Sequence, residues 1–258
     1  VDYVTKPFHL AELRARLETH LRIRKLRRRL EQAKEELEER VRTQVREISE
    51  AQLATILALA KLAEYRDDET GRHLDRVGPL CRVLAEQIAR EPDFPGFDVP
   101  DFVENLVRIC PLHDIGKVGI EDRVLRKPGP LTPEEFEVMK RHVLIGAETL
   151  RSVLDRYPGN RLQEMGIRVA RYHHERWDGE GYPEGLAGEA IPLSARIMAV
   201  VDVYDALRSV RCYKPPLSHE AARTILLEGE GTRFDPRVVR AFRAVEEEFR
   251  RIYDAPSG

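Results

Sequence analysis

Thr132-Pro-Glu-Glu135-Phe-Glu-Val-Met139-Lys-Arg-His142-Val-Leu-Ile-Gly146 decides how the rest of the chain is read. Thr132 can cap a helix, Pro133 suits its first turn, and Glu135 completes a capping box by reaching back to the cap. Apolar residues then recur at helical spacing over 134–153, and His142 stands within that helix. The same periodicity covers 53–63, 77–89, 102–112, 162–175, 194–210, 217–227 and 236–252. Phe234-Asp235-Pro236 marks a second capped start, with Asp235 as the cap. Strand signals are absent after residue 8, and the stretches 91–101 and 179–192 read as loops, the second long enough to line a site. The expected fold is all-α, with a compact helical bundle over 59–258.

Upstream, 10–62 contain neither proline nor glycine, so one long helix is predicted. Ile23, Leu26, Leu30, Ala33 and Leu37 recur at 3-4-3-4 spacing, the seam of a coiled coil. Val41, Val45 and Ile48 continue it after a four-residue slip, a stutter that locally unwinds a supercoil. The rival, an amphipathic helix folded back on its own domain, fits less well with so narrow a seam and charge on both flanks. Residues 21–58 are therefore read as a coiled-coil linker that pairs two copies in a homodimer. Before it, Val1-Asp-Tyr-Val-Thr-Lys-Pro-Phe8 resembles the last strand of a response-regulator receiver domain, where Lys-Pro follows that strand. Residues 1–20 are read as the end of such a domain, which implies an upstream receiver and a sensor kinase as partners.

The 258 residues carry a formal charge of -2 and a pI near 6.5, so no overall field favours DNA or a membrane surface. Any hold on a phosphate must be local. Cys81, Cys110 and Cys212 are odd in number and widely spaced, which suits thiols of a reducing cytoplasm and excludes a zinc knuckle. No apolar run approaches the roughly 20 residues of a membrane span. A cytoplasmic location is expected.

Chemistry concentrates in one ordered string: Glu69-x-x-x-His73, His113-Asp114, His142, His173-His174 and Asp202. Imidazole and carboxylate together form the ligand set of a first-row transition metal. Eight such groups exceed one ion and suit two or three. Glu69 and His73, four apart, share a helical face. His113 and Asp114 are neighbours about 100° apart around a helix of roughly 3.6 residues per turn, and Asp114 with its two oxygens is the natural bridge. Lys117, one turn on, can orient a phosphate oxygen. Adjacent imidazoles such as His173 and His174 diverge, which suits two metals or two edges of one cluster. Asp202 interrupts an apolar helix, where a carboxylate must be paired or metal-bound, and Asp205 shares its face. Taken singly, each has a bland reading as a surface or core residue. Taken together, the bland account needs many coincidences.

Arg66-Asp-Asp-Glu-Thr-Gly-Arg-His73, Leu112-His-Asp-Ile-Gly-Lys117, Lys127-Pro-Gly-Pro-Leu-Thr132, His173-His-Glu-Arg-Trp-Asp-Gly-Glu-Gly-Tyr-Pro183 and Ala199-Val-Val-Asp-Val-Tyr-Asp-Ala-Leu207 stand in order along the chain. Residues 60–250 thereby resemble the HD-GYP family of the HD superfamily, metal-dependent phosphodiesterases of the bacterial second messenger cyclic di-GMP. The resemblance implies His73, His113, Asp114, His142, His173, His174 and Asp202 as ligands, with Glu69 accompanying a third metal. It implies two or three divalent metals, iron or manganese being the expected ions. Arg211 and Lys214 match the family's substrate-gripping basic residues, and Tyr182 a wall of the nucleotide pocket; Asp205, for its place on the face of Asp202, is read as a further substrate contact. Asp114 and Lys117 are the expected catalytic residues.

Arg208 and Cys212 depart from the family's usual threonine and proline beside those basic residues, and Glu121 replaces another proline. The reaction implied is hydrolysis by water activated at the cluster, giving linear pGpG, with GMP from a second cut. Two rivals stand beside it. One is an HD phosphohydrolase for another cyclic dinucleotide. The other is a low-turnover binding module for signalling.

Overall fold

The computed structural model describes residues 10–64, 66, 73–91, 99–154, 161–209 and 215–255. Expectations for residues 1–8, Glu69, Arg211, Cys212 and Lys214 lie outside these. The described residues form helices α1 (Leu10–Glu64), α2 (His73–Ala89), α3 (Val99–Ile109), α4 (Asp122–Leu125), α5 (Pro133–Leu154), α6 (Arg161–Tyr172), α7 (Leu193–Arg208), α8 (His219–Glu228) and α9 (Pro236–Asp254). Among them there is no strand, only two isolated bridges, Asp178 with Ala187 and Glu230 with Phe234. The expected all-α class is what the chain adopts.

Contacts divide the chain into two units, 1–52 and 53–258. In the first, Ile23, Leu26, Leu30, Leu37, Val41, Val45 and Ile48 are all exposed, so within that unit nothing covers the seam. The second unit starts a little before the predicted residue 59, because Ile56 and Ala60 already pack on the core.

The core of the second unit forms around α7. Ile197, Met198, Val200, Val201 and Tyr204 are all fully buried, as expected of a helix that is apolar on nearly every side. α2 packs against α3, α7 and α9, and α5 against α6. Both predicted caps form. Thr132 N–H donates to Glu135 Oε2 at 2.8 Å while Glu135 N–H donates to Thr132 Oγ1 at 3.3 Å. Asp235 accepts from Arg237 N–H at 2.8 Å and also holds Arg196 of α7 at 2.5 Å, which ties the start of α9 to the central helix.

One close approach positions the site. A Cβ on Gly116 would lie 1.9 Å from the His142 carbonyl oxygen and 2.5 Å from the Gly146 nitrogen. The segment after Asp114 therefore lies backbone to backbone on α5, and only glycine permits it. Gly116→Ala is expected to cost about 3 kcal/mol, the upper end of ordinary overpacking. For a domain of this size that lowers Tm by on the order of 10 °C. Thermal unfolding of the metal-free protein checks this, and an unchanged Tm would mean that the two backbones separate freely.

Candidate metal centre

All seven described candidate ligands converge. Asp114, His142, His173 and His174 form one group and His73, His113 and Asp202 a second, with ligand atoms within 4.8 Å of one another in each. His73 opens α2, His142 lies on α5, and Asp202 comes from α7. His173 and His174 follow the end of α6 with ring centroids 4.1 Å apart. They converge on one group instead of serving two, because the helix ends at Tyr172 and no longer fans them apart.

His113 and Asp114 are not on an α-helix, contrary to the sequence reading. Pro111 has no N–H to continue α3, so the chain passes through the 3-10 turn Cys110–Leu112 and, after Asp114, a second one at Ile115–Gly119. This junction turns Asp114 between the groups. Its Oδ1 lies 3.2 Å from His142 Nε2 and 3.5 Å from His173 Nε2, and its Oδ2 lies 3.4 Å from His113 Nε2 and 2.8 Å from Lys117 Nζ.

The imidazoles are anchored from behind. His113 Nδ1 donates to the Cys110 carbonyl at 2.9 Å, His142 Nδ1 to Met139 at 2.7 Å, and His173 Nδ1 to Val169 at 2.9 Å. With the proton on Nδ1, each Nε2 lone pair points into the centre. His113 Nε2, His142 Nε2, His173 Nε2 and Asp114 Oδ1 are buried with no hydrogen-bond partner. Four orphaned acceptors in one place would be costly for a purely structural cluster. Divalent cations held by the two groups would satisfy them, so the residues present fit a metal centre.

The charges agree. Burial disfavours a charged His113, yet the carboxylates of Asp114 and Asp202 outweigh it and raise its pKa to about 9. Burial also opposes ionisation of Asp114, but Lys117 and His113 hold it well below the usual carboxylate range. Burial and the neighbouring histidines push His174 well down, which leaves it a neutral ligand. The centre therefore attracts positive charge: without metal a proton on His113 supplies it, and a bound cation would take that proton's place.

Asp205 is not where a substrate contact would be. It is 1% exposed. Its Oδ2 accepts from His73 Nδ1 at 2.8 Å and from Arg76 Nη2 at 2.8 Å, and its Oδ1 accepts from Arg76 Nε. Both oxygens are occupied, so it orients His73 from behind and offers a substrate nothing. Arg76, unnoticed in the sequence, is in turn stacked over the Tyr253 ring at 4.5 Å. Asp205→Asn is expected to weaken metal binding by roughly 10–100-fold, the usual effect of losing such an outer partner. A metal titration of the variant checks this, and unchanged affinity would mean that His73 holds its orientation without Asp205.

Tyr182 stacks on His174, with centroids 4.9 Å apart and planes 30° from parallel. Its loop is held by Glu175, a 3%-exposed residue the sequence did not flag, which accepts from Glu184 N–H at 2.8 Å and Leu186 N–H at 3.0 Å. A Cβ on Gly181 would fall 2.3 Å from the Arg176 nitrogen, so the loop seats only with glycine there.

The HD domain family matches residues 58–238. A probable cyclic di-GMP phosphodiesterase of Vibrio cholerae is 44% identical over 251 residues, covering 96% of this chain and 57% of its own. A cyclic di-GMP phosphodiesterase of the same organism is 50% identical over 204 residues, covering 79% of this chain and 41% of its own. The chain thus spans about half the length of these curated relatives. Among solved structures, a cyclic GMP-AMP specific phosphodiesterase of V. cholerae shares the fold with a TM-score of 0.51, 20% identity, and coverage of 78% of this chain and 51% of its own.

Proposed function

This chain belongs to the HD domain family, and from that premise we propose that it is a metal-dependent phosphodiesterase that hydrolyses cyclic di-GMP. The observation that carries the reading is the set of four buried, partnerless acceptors shared between two ligand groups that meet at Asp114. His73, His113 and Asp202 would hold one metal, and His142, His173 and His174 another, with Asp114 between them. Glu69 would add a ligand for a third. When bound, such ions supply Lewis acidity at the phosphoryl oxygens and lower the pKa of water towards neutrality.

The chain's own residues do the rest. Lys117 neutralises Asp114 and, with the three donors of an ammonium, can hold a phosphoryl oxygen as charge builds there. Tyr182 fixes the His174 ring from outside and walls the centre. Burial and the nearby Asp114 and Asp202 charges raise its pKa, so its hydroxyl stays protonated and is available as a donor. Arg211 and Lys214 would grip the second phosphate or a guanine edge. The product is linear pGpG, with GMP from a second cut. Incubation of Mn²⁺- or Fe²⁺-loaded protein with cyclic di-GMP and chromatography of the products tests the reading. Tight binding without cleavage would favour the signalling-module rival instead.

The exposed seam of α1 supports a parallel homodimer, through which an upstream receiver would shift helix phase at the stutter near Val41. Light scattering is expected to find a dimer at micromolar concentration, and removal of residues 15–55 to give a monomer that keeps its metals. A monomeric intact chain would exclude this route of control.

A further inference from the structure

We propose that Phe136 and Lys140 form a subsite that takes a guanine base of the substrate and prefers it to adenine. The inference rests on the cyclic di-GMP reading and deepens it. Phe136 and Lys140 stand one turn apart on α5, shortly before His142. Phe136 is 43% exposed, the one aromatic among the large apolar side chains that the described residues of this unit leave exposed. Its ring meets that of Tyr182 edge-on at 6.1 Å, and Tyr182 in turn stacks on His174 at 4.9 Å. A continuous series of rings therefore leads from a metal ligand to an open aromatic face.

Lys140 Nζ lies 5.0 Å from the Phe136 ring centroid and 5.6 Å from that of Tyr182. Its ion-pair partner at 2.6 Å is Glu137, which is 69% exposed and so holds it only weakly. A contact that merely stapled the 179–192 loop to α5 would need neither an exposed ring nor an ammonium above it.

A base attached to a phosphate held at the metals lies one sugar away from it, and a single ring, Tyr182, separates His174 from the Phe136 face. Every purine can stack on an aromatic ring. The ammonium adds selectivity. Guanine presents two acceptors, O6 and N7, along one edge, whereas adenine puts an N6 donor where O6 would be. An ammonium, which only donates, satisfies the first edge and opposes the second.

The test uses the Mn²⁺-loaded 258-residue chain, with KM for cyclic di-GMP and the inhibition constant of cyclic di-AMP as readouts. Phe136→Ala is expected to raise KM and the inhibition constant together by about tenfold, with metal content unchanged. Lys140→Ala is expected to raise KM for cyclic di-GMP while leaving inhibition by cyclic di-AMP alone. The guanine preference would then narrow by about tenfold, and Lys140→Arg would restore it. Both variants change exposed or half-exposed positions, so folding is not at stake. KM values within twofold of wild type, or an unchanged preference in Lys140→Ala, would overturn the subsite and leave the cyclic di-GMP reading intact. A metal-loaded wild type that cuts no cyclic di-GMP would overturn that reading and the subsite with it.

Discussion

Asp114→Ala is expected to remove metal from both ligand groups at once and to lower cyclic di-GMP hydrolysis by on the order of a thousandfold or more. The reason is its position. One oxygen lies 3.2 Å from His142 Nε2 and 3.5 Å from His173 Nε2, and the other lies 3.4 Å from His113 Nε2. Losing a ligand that belongs to one group would cripple one ion; losing this one would take from both groups the carboxylate that lies between them. Metal ions contribute several kcal/mol of transition-state stabilisation, and about 1.4 kcal/mol is a factor of ten in rate. A second, independent sign accompanies the loss. Burial opposes a charged His113 and the Asp114 carboxylate is the main group overcoming it, so the His113 pKa should fall from about 9 in the metal-free variant. Elemental analysis and histidine NMR check the two halves. Full metal content in Asp114→Ala would show that the carboxylate is a neighbour of the ions and not a ligand.

Lys117→Ala is expected to lower kcat by roughly 10²–10³-fold, the usual loss on removing one preorganised donor, while metal content holds. Lys117 Nζ lies 2.8 Å from Asp114 Oδ2 and is the leading charge holding that carboxylate ionised against its burial. Deleting a cation beside a carboxylate leaves the centre more negative, which favours bound metal. Binding and catalysis should therefore separate in this variant, where Asp114→Ala loses both. Steady-state kinetics beside elemental analysis decides it. A fall in metal content proportional to the fall in rate would make the lysine a positioning group for Asp114, with no direct part in catalysis.

The fold was legible where the signals are local. Thr132 and Glu135 meet each other within one turn, so α5 could be started at the right residue from sequence alone. α7 was legible from its composition. That the candidate ligands belong together was legible, because so many histidines and carboxylates at those spacings have no cheaper use, and the seven described ones do converge. What was not legible depends on partners far along the chain. Asp205 is three residues from Asp202 on the same helix, and spacing alone suggested a shared task; its real partners, Arg76 and His73, come from α2. His113 and Asp114 read as helical because the apolar pattern runs on to Leu112, while the one residue that matters, Pro111, ends α3 at Ile109. Glu175 reads as one more charge beside the paired histidines. Only the returning loop, with Glu184 and Leu186, gives it a purpose.

The carbonyls that fix His113, His142 and His173 all lie three or four residues earlier in the same stretch of chain, at Cys110, Met139 and Val169. Ring orientation is thus inherited from main-chain geometry, and no neighbouring side chain has to be kept for it. Substitutions in the apolar interior can accumulate over evolutionary time as long as these turns stay wound. The chelating bite then remains constant while the surrounding sequence drifts. An engineer could likewise repack that interior for heat resistance without redesigning the centre, provided Pro111 and Gly116 are left alone.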